Sequence, residues 1–134
     1  MLAHVPLMLV PLVLYNLGLI GMLGDPENLW DAEMFSVTMM SGGVWSTKLS
    51  DIMVLVALLL GFVEILKSTR TSNASLVDHL LSTLVFVIFL VEFLLVQGAA
   101  TQIFFILMLI SLVDVIAGFT VSIKSAGRDV SIGL

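Results

Sequence analysis

The chain has no cysteine, which excludes disulfides, thiolate nucleophiles and cysteine metal sites. It has little charge: five Lys or Arg and ten Asp or Glu among 134 residues. A soluble domain of this length covers itself with a charged surface, and this chain lacks the residues to build one. The few basic residues are dispersed, so nothing forms the basic patch that a nucleic-acid partner requires. There are only two histidines, His4 and His79. A bis-histidine haem is geometrically imaginable from them but has no supporting pattern. No nucleophile–base or metal-ligand spacing appears elsewhere. We therefore expect no enzyme, no metal and no cofactor. The eight methionines are scattered through apolar runs, as packing residues are.

What is present is hydrocarbon. The chain is 60% hydrophobic, with a mean hydropathy of +1.20. A bilayer core about 30 Å thick takes roughly 20 apolar residues per helix. The runs in this sequence predict four such helices, at about residues 5–23, 51–66, 76–96 and 101–123. The expected fold is an all-α membrane protein: a single four-helix, up-down transmembrane bundle. The last two helices form a hydrophobic hairpin turned at Gly98-Ala99-Ala100.

The first run contains no Asp, Glu, Lys or Arg before Asp25. A signal peptide would carry a basic n-region and an A-x-A site, and neither is seen, so the run reads as a retained helix. Pro6 fits its first turn. Pro11 is expected in the interior, bending the helix. Gly18 and Gly21 are expected to admit another helix closely, as are Gly61 and Gly118 in later spans.

Residues 24–50 are the one long loop. It opens acidic, with Asp25, Glu27, Asp31 and Glu33, and carries Trp30 and Trp45 as expected membrane-interface anchors. Residues 34–40 alternate apolar and polar, Ser41-Gly42-Gly43 reads as a turn, and residues 44–48 read as a return strand. This predicts a β-hairpin on the outer membrane surface. Asp51 follows in the first turn of the second helix, where a carboxylate suits the helix dipole.

Lys67 and Arg70 fall in the link at residues 67–75, and Lys124 and Arg128 in the tail at 124–134. Lys48 stands alone among the acids of the long loop. By the positive-inside rule both termini and the middle link face the cytoplasm. Ser75 is the expected N-cap of the third helix, with Asp78 in its first turn.

Carboxylates inside a span are costly, by at least about 2.5 kcal/mol on insertion scales, and are functional candidates by default. Glu64 has Lys67 three residues on, so its simplest reading is a snorkelling ion pair at the helix end. Asp78 suits the helix dipole, and His79 reads as an interfacial residue able to titrate near neutral pH. Glu92 and Asp114 have no basic residue within a turn. Each is expected to be protonated, paired with a polar group on another helix, or in contact with water.

Val77-Asp78-His79-Leu80-Leu81-Ser82, Val91-Glu92-Phe93-Leu94-Leu95 and the run from Val113-Asp114 through Gly118 to Ile123 resemble an uncharacterised group of short bacterial four-span proteins. The resemblance covers about residues 46–134. It implies the span count and a bacterial inner (plasma) membrane, and it transfers no activity.

Two functions follow from the residues. The first is a small accessory, assembly or scaffold protein acting through helix packing, alone as a homo-oligomer or with other membrane subunits in the lipid bilayer. The second is a proton- or cation-coupled transporter or channel using the buried carboxylates.

Overall fold

The computed structural model describes residues 5–69 and 73–133, with side chains at 5–69, 76–121, 123 and 124. His4 and Arg70 lie outside the described residues, as do the side chains of Ser75 and Arg128. The elements run in the order α1 (Leu9–Leu19), β1 (Glu33–Thr38), β2 (Val44–Lys48), α2 (Leu49–Lys67), α3 (Asn73–Leu95) and α4 (Gln102–Gly133). Single 3-10 turns sit at Leu29–Asp31 and Gln97–Ala99.

Three helices contain stretches long and apolar enough to cross a membrane: Leu49–Lys67, Leu76–Leu95 and Gln102–Val121. Helix α1 does not reach that length. It has 11 residues, about 16 Å at 1.5 Å per residue, against the run of residues 5–23 expected from hydropathy. Its two ends explain the difference. Pro6–Met8 forms a turn, with Leu9 N–H donating to Pro6 O at 3.1 Å and Val10 N–H to Leu7 O at 3.0 Å. At the other end Gly21 takes a φ of +84°, Gly21 N–H donates to Gly18 O, and Met22 N–H donates to Leu17 O. That is a Schellman stop, and it needs a residue able to adopt positive φ. Gly21 is therefore a helix terminator rather than a packing glycine. Pro11 is the third residue of α1, where the amide has no intrahelical acceptor, so the expected interior bend is not required.

The other corrections concern ends. Helix α3 starts at Asn73, so Ser75 lies inside it and Asp78 lies beyond its first turn. Helix α4 runs on through the expected tail to Gly133, since no proline interrupts it. The N–H of Lys48 donates to Asp51 Oδ2 at 3.0 Å, so Asp51 caps the start of α2.

The loop forms the hairpin that its alternation predicts, with β1 and β2 antiparallel and Val37 opposite Trp45. Met39 N–H donates to Gly43 O at 2.7 Å and Gly42 has a φ of +89°. This is a three-residue loop closed by a glycine bulge. Phe35 and Trp45 meet edge to face at 5.3 Å. The tip is otherwise uncovered, with Met34, Val37, Met40 and Val44 all exposed.

Helix α4 is the centre of the bundle. Both α2 and α3 pack along it, and α1 packs on α2 and α4. Phe104 of α4 is fully buried and joins three elements, with ring centroids 4.8 Å from Tyr15 of α1 and 5.4 Å from Phe89 of α3. Met53, Ala57 and Leu107 complete the middle of the core. Gly61 of α2 faces Ile110 of α4, where an added Cβ would stand 3.4 Å from the isoleucine methyl. The surface around this core is apolar: Leu59, Phe62, Leu80, Leu94 and Val113 are each more than half exposed. Polar groups face inward instead, which suits a hydrocarbon surround and not water.

Two outcomes are expected. Phe104→Ala removes the ring shared by α1, α3 and α4 and should cost about 3–5 kcal/mol, read as a lowered thermal midpoint in detergent. In the loop, the Asn28 side chain and then the Glu27 backbone N–H donate to the exposed Asp25 and hold its carboxyl below the ordinary carboxylate range. The loop stabilisation is then present above the ordinary aspartate value and lost as pH falls through the lower folded one. In Asn28→Ala the Asp25 titration midpoint, followed by NMR, should move up.

A buried acidic cluster and an outer cleft

The carboxylates that looked separate in sequence meet at one end of the bundle. Glu64 and Lys67 come from the last turns of α2, Asp78 and His79 from the start of α3, and Asp114 from the middle of α4. Glu64, Asp78, His79 and Asp114 are all buried, each at 5% exposure or less. Lys67 Nζ lies 3.0 Å from Glu64 Oε1 and 3.5 Å from Asp78 Oδ1, so one ammonium bridges two helices. The expected Glu64–Lys67 pair is present, but Glu64 points into the bundle and does not snorkel out of it. Asp114 sits within electrostatic reach of Glu64, Asp78 and Lys67.

The segment before α1 closes this cluster. Leu7 N–H donates to Glu64 Oε1 at 2.7 Å, and Lys67 Nζ donates to Val5 O at 3.1 Å. Ser82 Oγ approaches Glu64 Oε2 at 3.4 Å from α3. His79 is buried in the bundle: its ring stacks on Phe119 of α4 at 4.8 Å and packs on Gly118, where a Cβ would come within 2.8 Å of His79 Cε1. Gly118 thus makes room for an imidazole rather than for a helix backbone. Two buried polar atoms in this region have no hydrogen-bond partner among the described residues, His79 Nε2 and Ser111 Oγ. Ser111 stands one turn before Asp114 on α4, and Gly118 one turn after it.

The remaining candidates are at the opposite end. Glu92 is half-buried near the end of α3, where it accepts a hydrogen bond from Asn16 Nδ2 of α1 at 3.2 Å. Tyr15 Oη donates to Gly98 O at 2.9 Å and is 2.7 Å from Thr101 Oγ1, which fastens α1 to the α3–α4 turn. Trp30 is half-buried against the helix. It lies on Gly18, where an added Cβ would be 2.9 Å from its ring, and stacks on Tyr15 at 5.4 Å with 4° between planes. Gly18 therefore receives the loop and not another helix. Trp45 remains half-exposed on the hairpin.

Between these levels the core is apolar, closed by Phe89, Phe104 and Leu107. Among the described residues no hydrogen bond or ion pair links Glu92 or Asp51 to the buried cluster. Above the apolar layer a cleft of 730 Å³ opens, walled by Tyr15 and Trp30, rimmed by Glu27, Asp31 and Asp51, and floored by Thr101, Gln102 and Ile106. Among the described residues no three His, Asp or Glu side chains converge to hold a metal ion. No protein family, no curated protein and no solved structure matches this chain.

Sequence reasoning judged each acid against neighbours on its own helix and so missed the cluster. The signal was depth. Glu64 lies about 22 Å along α2 from Leu49 and Asp114 about 18 Å along α4 from Gln102, at 1.5 Å per residue. Both helices run from the same end, so the two acids reach one level, where the α2–α3 link also brings Lys67 and Asp78.

Replacing Lys67 by Met should leave Glu64 and Asp78 buried without their cation and cost about 3–5 kcal/mol. Adding Glu64→Gln and Asp78→Asn to Lys67→Met should recover most of that loss in thermal unfolding, since a neutral cluster carries no unpaired charge.

Proposed function

We propose that this chain is a small multi-pass membrane protein whose buried cluster binds and releases a proton, as the working centre of a proton-coupled transporter or channel. One observation carries the reading. Glu64 and Asp78 share the Lys67 ammonium, and Asp114, also buried, lies within electrostatic reach of all three. Among the described residues these three carboxylates stand against one cation in a low-dielectric site, and a proton is the smallest species that offsets the excess negative charge. Ser111 Oγ and His79 Nε2, both buried and unpartnered among the described residues, provide further positions for the proton to visit.

Four crossings fit this reading although α1 is short. Its N-terminal end is bonded at the Glu64–Lys67 level and its C-terminal end at the Glu92–Thr101 level. The apolar residues of the flanking turns extend the path at both ends. The basic residues favour an inner-membrane protein with the cluster toward the cytoplasm and the acidic loop outside. The absence of native cysteine makes orientation simple to test. Ser41→Cys should react with an impermeant maleimide in intact cells, and Lys124→Cys only after permeabilisation; the reverse pattern would refute the orientation.

Proton movement is tested with purified protein in liposomes holding a pH-sensitive dye. Asp114→Asn and Glu64→Gln should each abolish flux under an imposed potential, while Glu92→Gln, bonded only to Asn16 at the other end, should retain it. Undiminished flux in Asp114→Asn would refute the assignment.

A second reading, as an assembly subunit or a homo-oligomer, is favoured by the hairpin. A two-stranded sheet with open edges and an apolar, uncharged tip is marginal alone and suits a partner. Here the mass of the detergent-solubilised complex is the deciding measurement, with a monomer counting against a homo-oligomer.

A further inference from the structure

The outer cleft does not end at its floor. Ile106 of α4 lines both the cleft and a second, apolar groove of 290 Å³ that runs on between α2 and α4. On the α2 side the same path passes from Asp51 and Val54 to Leu58 and Gly61, one turn at a time. Gly61, lacking a side chain, keeps the groove open beside Ile110. The deep end is reached at Asp114. The two spaces adjoin at Ile106 and lie in line as one candidate track, acidic and aromatic in the cleft and hydrocarbon in the groove.

We infer that this track is a binding site for a lipophilic organic cation, with its charged head in the cleft and its alkyl or aryl tail in the groove. Each part of the lining selects for that chemistry. Glu27, Asp31 and Asp51 put three carboxylates at the mouth, and no basic side chain lines it. Lys48 reaches Asp31 from outside at 3.9 Å, an exposed pair that competes weakly. The Trp30 ring, with Tyr15 stacked behind it, supplies an aromatic wall, the surface that a quaternary ammonium or phosphonium head prefers. The cleft volume falls in the range that encloses a small organic ligand, about 300–1,000 Å³. An anionic or zwitterionic head would set a phosphate or sulfate against the same three acids. A free cation fits better than a membrane lipid for that reason.

The inference rests on the chain being embedded in lipid, because the open side of the α2–α4 groove is then closed by acyl chains. It does not depend on proton movement through the inner cluster. The experiment is therefore a binding measurement with no gradient. The whole chain is placed in phosphatidylcholine nanodiscs and titrated calorimetrically with octyltrimethylammonium, with the heat of empty discs subtracted. Tetramethylammonium, octanol and octyl sulfate are titrated in parallel.

One saturable site per chain is expected for octyltrimethylammonium. Tetramethylammonium should bind at least about 10-fold more weakly, and octanol and octyl sulfate should show no site. Glu27→Gln with Asp31→Asn, both at exposed positions, should weaken octyltrimethylammonium by about 10-fold. Leu58→Trp, at the half-exposed edge of the groove, should cut it to the level of tetramethylammonium. Equal binding of octyl sulfate or octanol, heat no different from that of empty discs, or full affinity in both variants would each overturn the proposal. A chain that does not enter nanodiscs would instead overturn the membrane reading beneath it.

Discussion

The Lys67 ammonium holds the bundle's inner end together. It lies between Glu64 on its own helix and Asp78 on the next, and it also reaches the backbone ahead of α1. In water such pairs contribute little, because solvent screens them and the side chains are free to wander. Here the surround is packed side chains, the charges are out of solvent, and the geometry is fixed by three helices. An ammonium in that position decides which ends of α1, α2 and α3 meet. It also decides how many negative charges the site can hold. With Asp114 added from α4, three buried acids stand near this one ammonium among the described residues.

The rest of the architecture separates two polar regions by an apolar layer. Phe104, Phe89 and Leu107 fill the middle, the ion cluster lies on one side, and the acidic cleft lies on the other. The α2–α4 contact bypasses this layer, because Gly61 thins the wall there and the groove opens sideways instead of along the axis. Central α4 supplies one residue or more to every part: Gln102 at the cleft, Phe104 in the layer, Ile106 in the groove, and Ser111, Asp114 and Gly118 at the cluster.

Much of the fold was legible in the residues. Alternation followed by Ser41-Gly42-Gly43 located the hairpin, since a period of two and a glycine at positive φ have few other uses. The three long helices followed from apolar runs long enough to cross a membrane. The first helix was misjudged because hydropathy does not distinguish a helix from an apolar turn. Gly21 carried the stop signal, and it was read as a packing residue because Gly18 and Gly24 lie near it at helical spacing. The contents of the cluster were visible as residues but not as a set. Local pairing, such as Glu64 with Lys67, is written in the spacing. The meeting of Asp78, His79 and Asp114 with that pair depends on helix depth and on which face α4 turns to α3.

The closure of the cluster by Val5 and Leu7 has a consequence for how the protein is made. These residues are synthesised some sixty positions before Glu64 and Lys67, and Tyr15 more than eighty before Gly98 and Thr101. These hydrogen bonds therefore close only after α2 and the α3–α4 turn have been made, and α1 cannot be fastened in place before then.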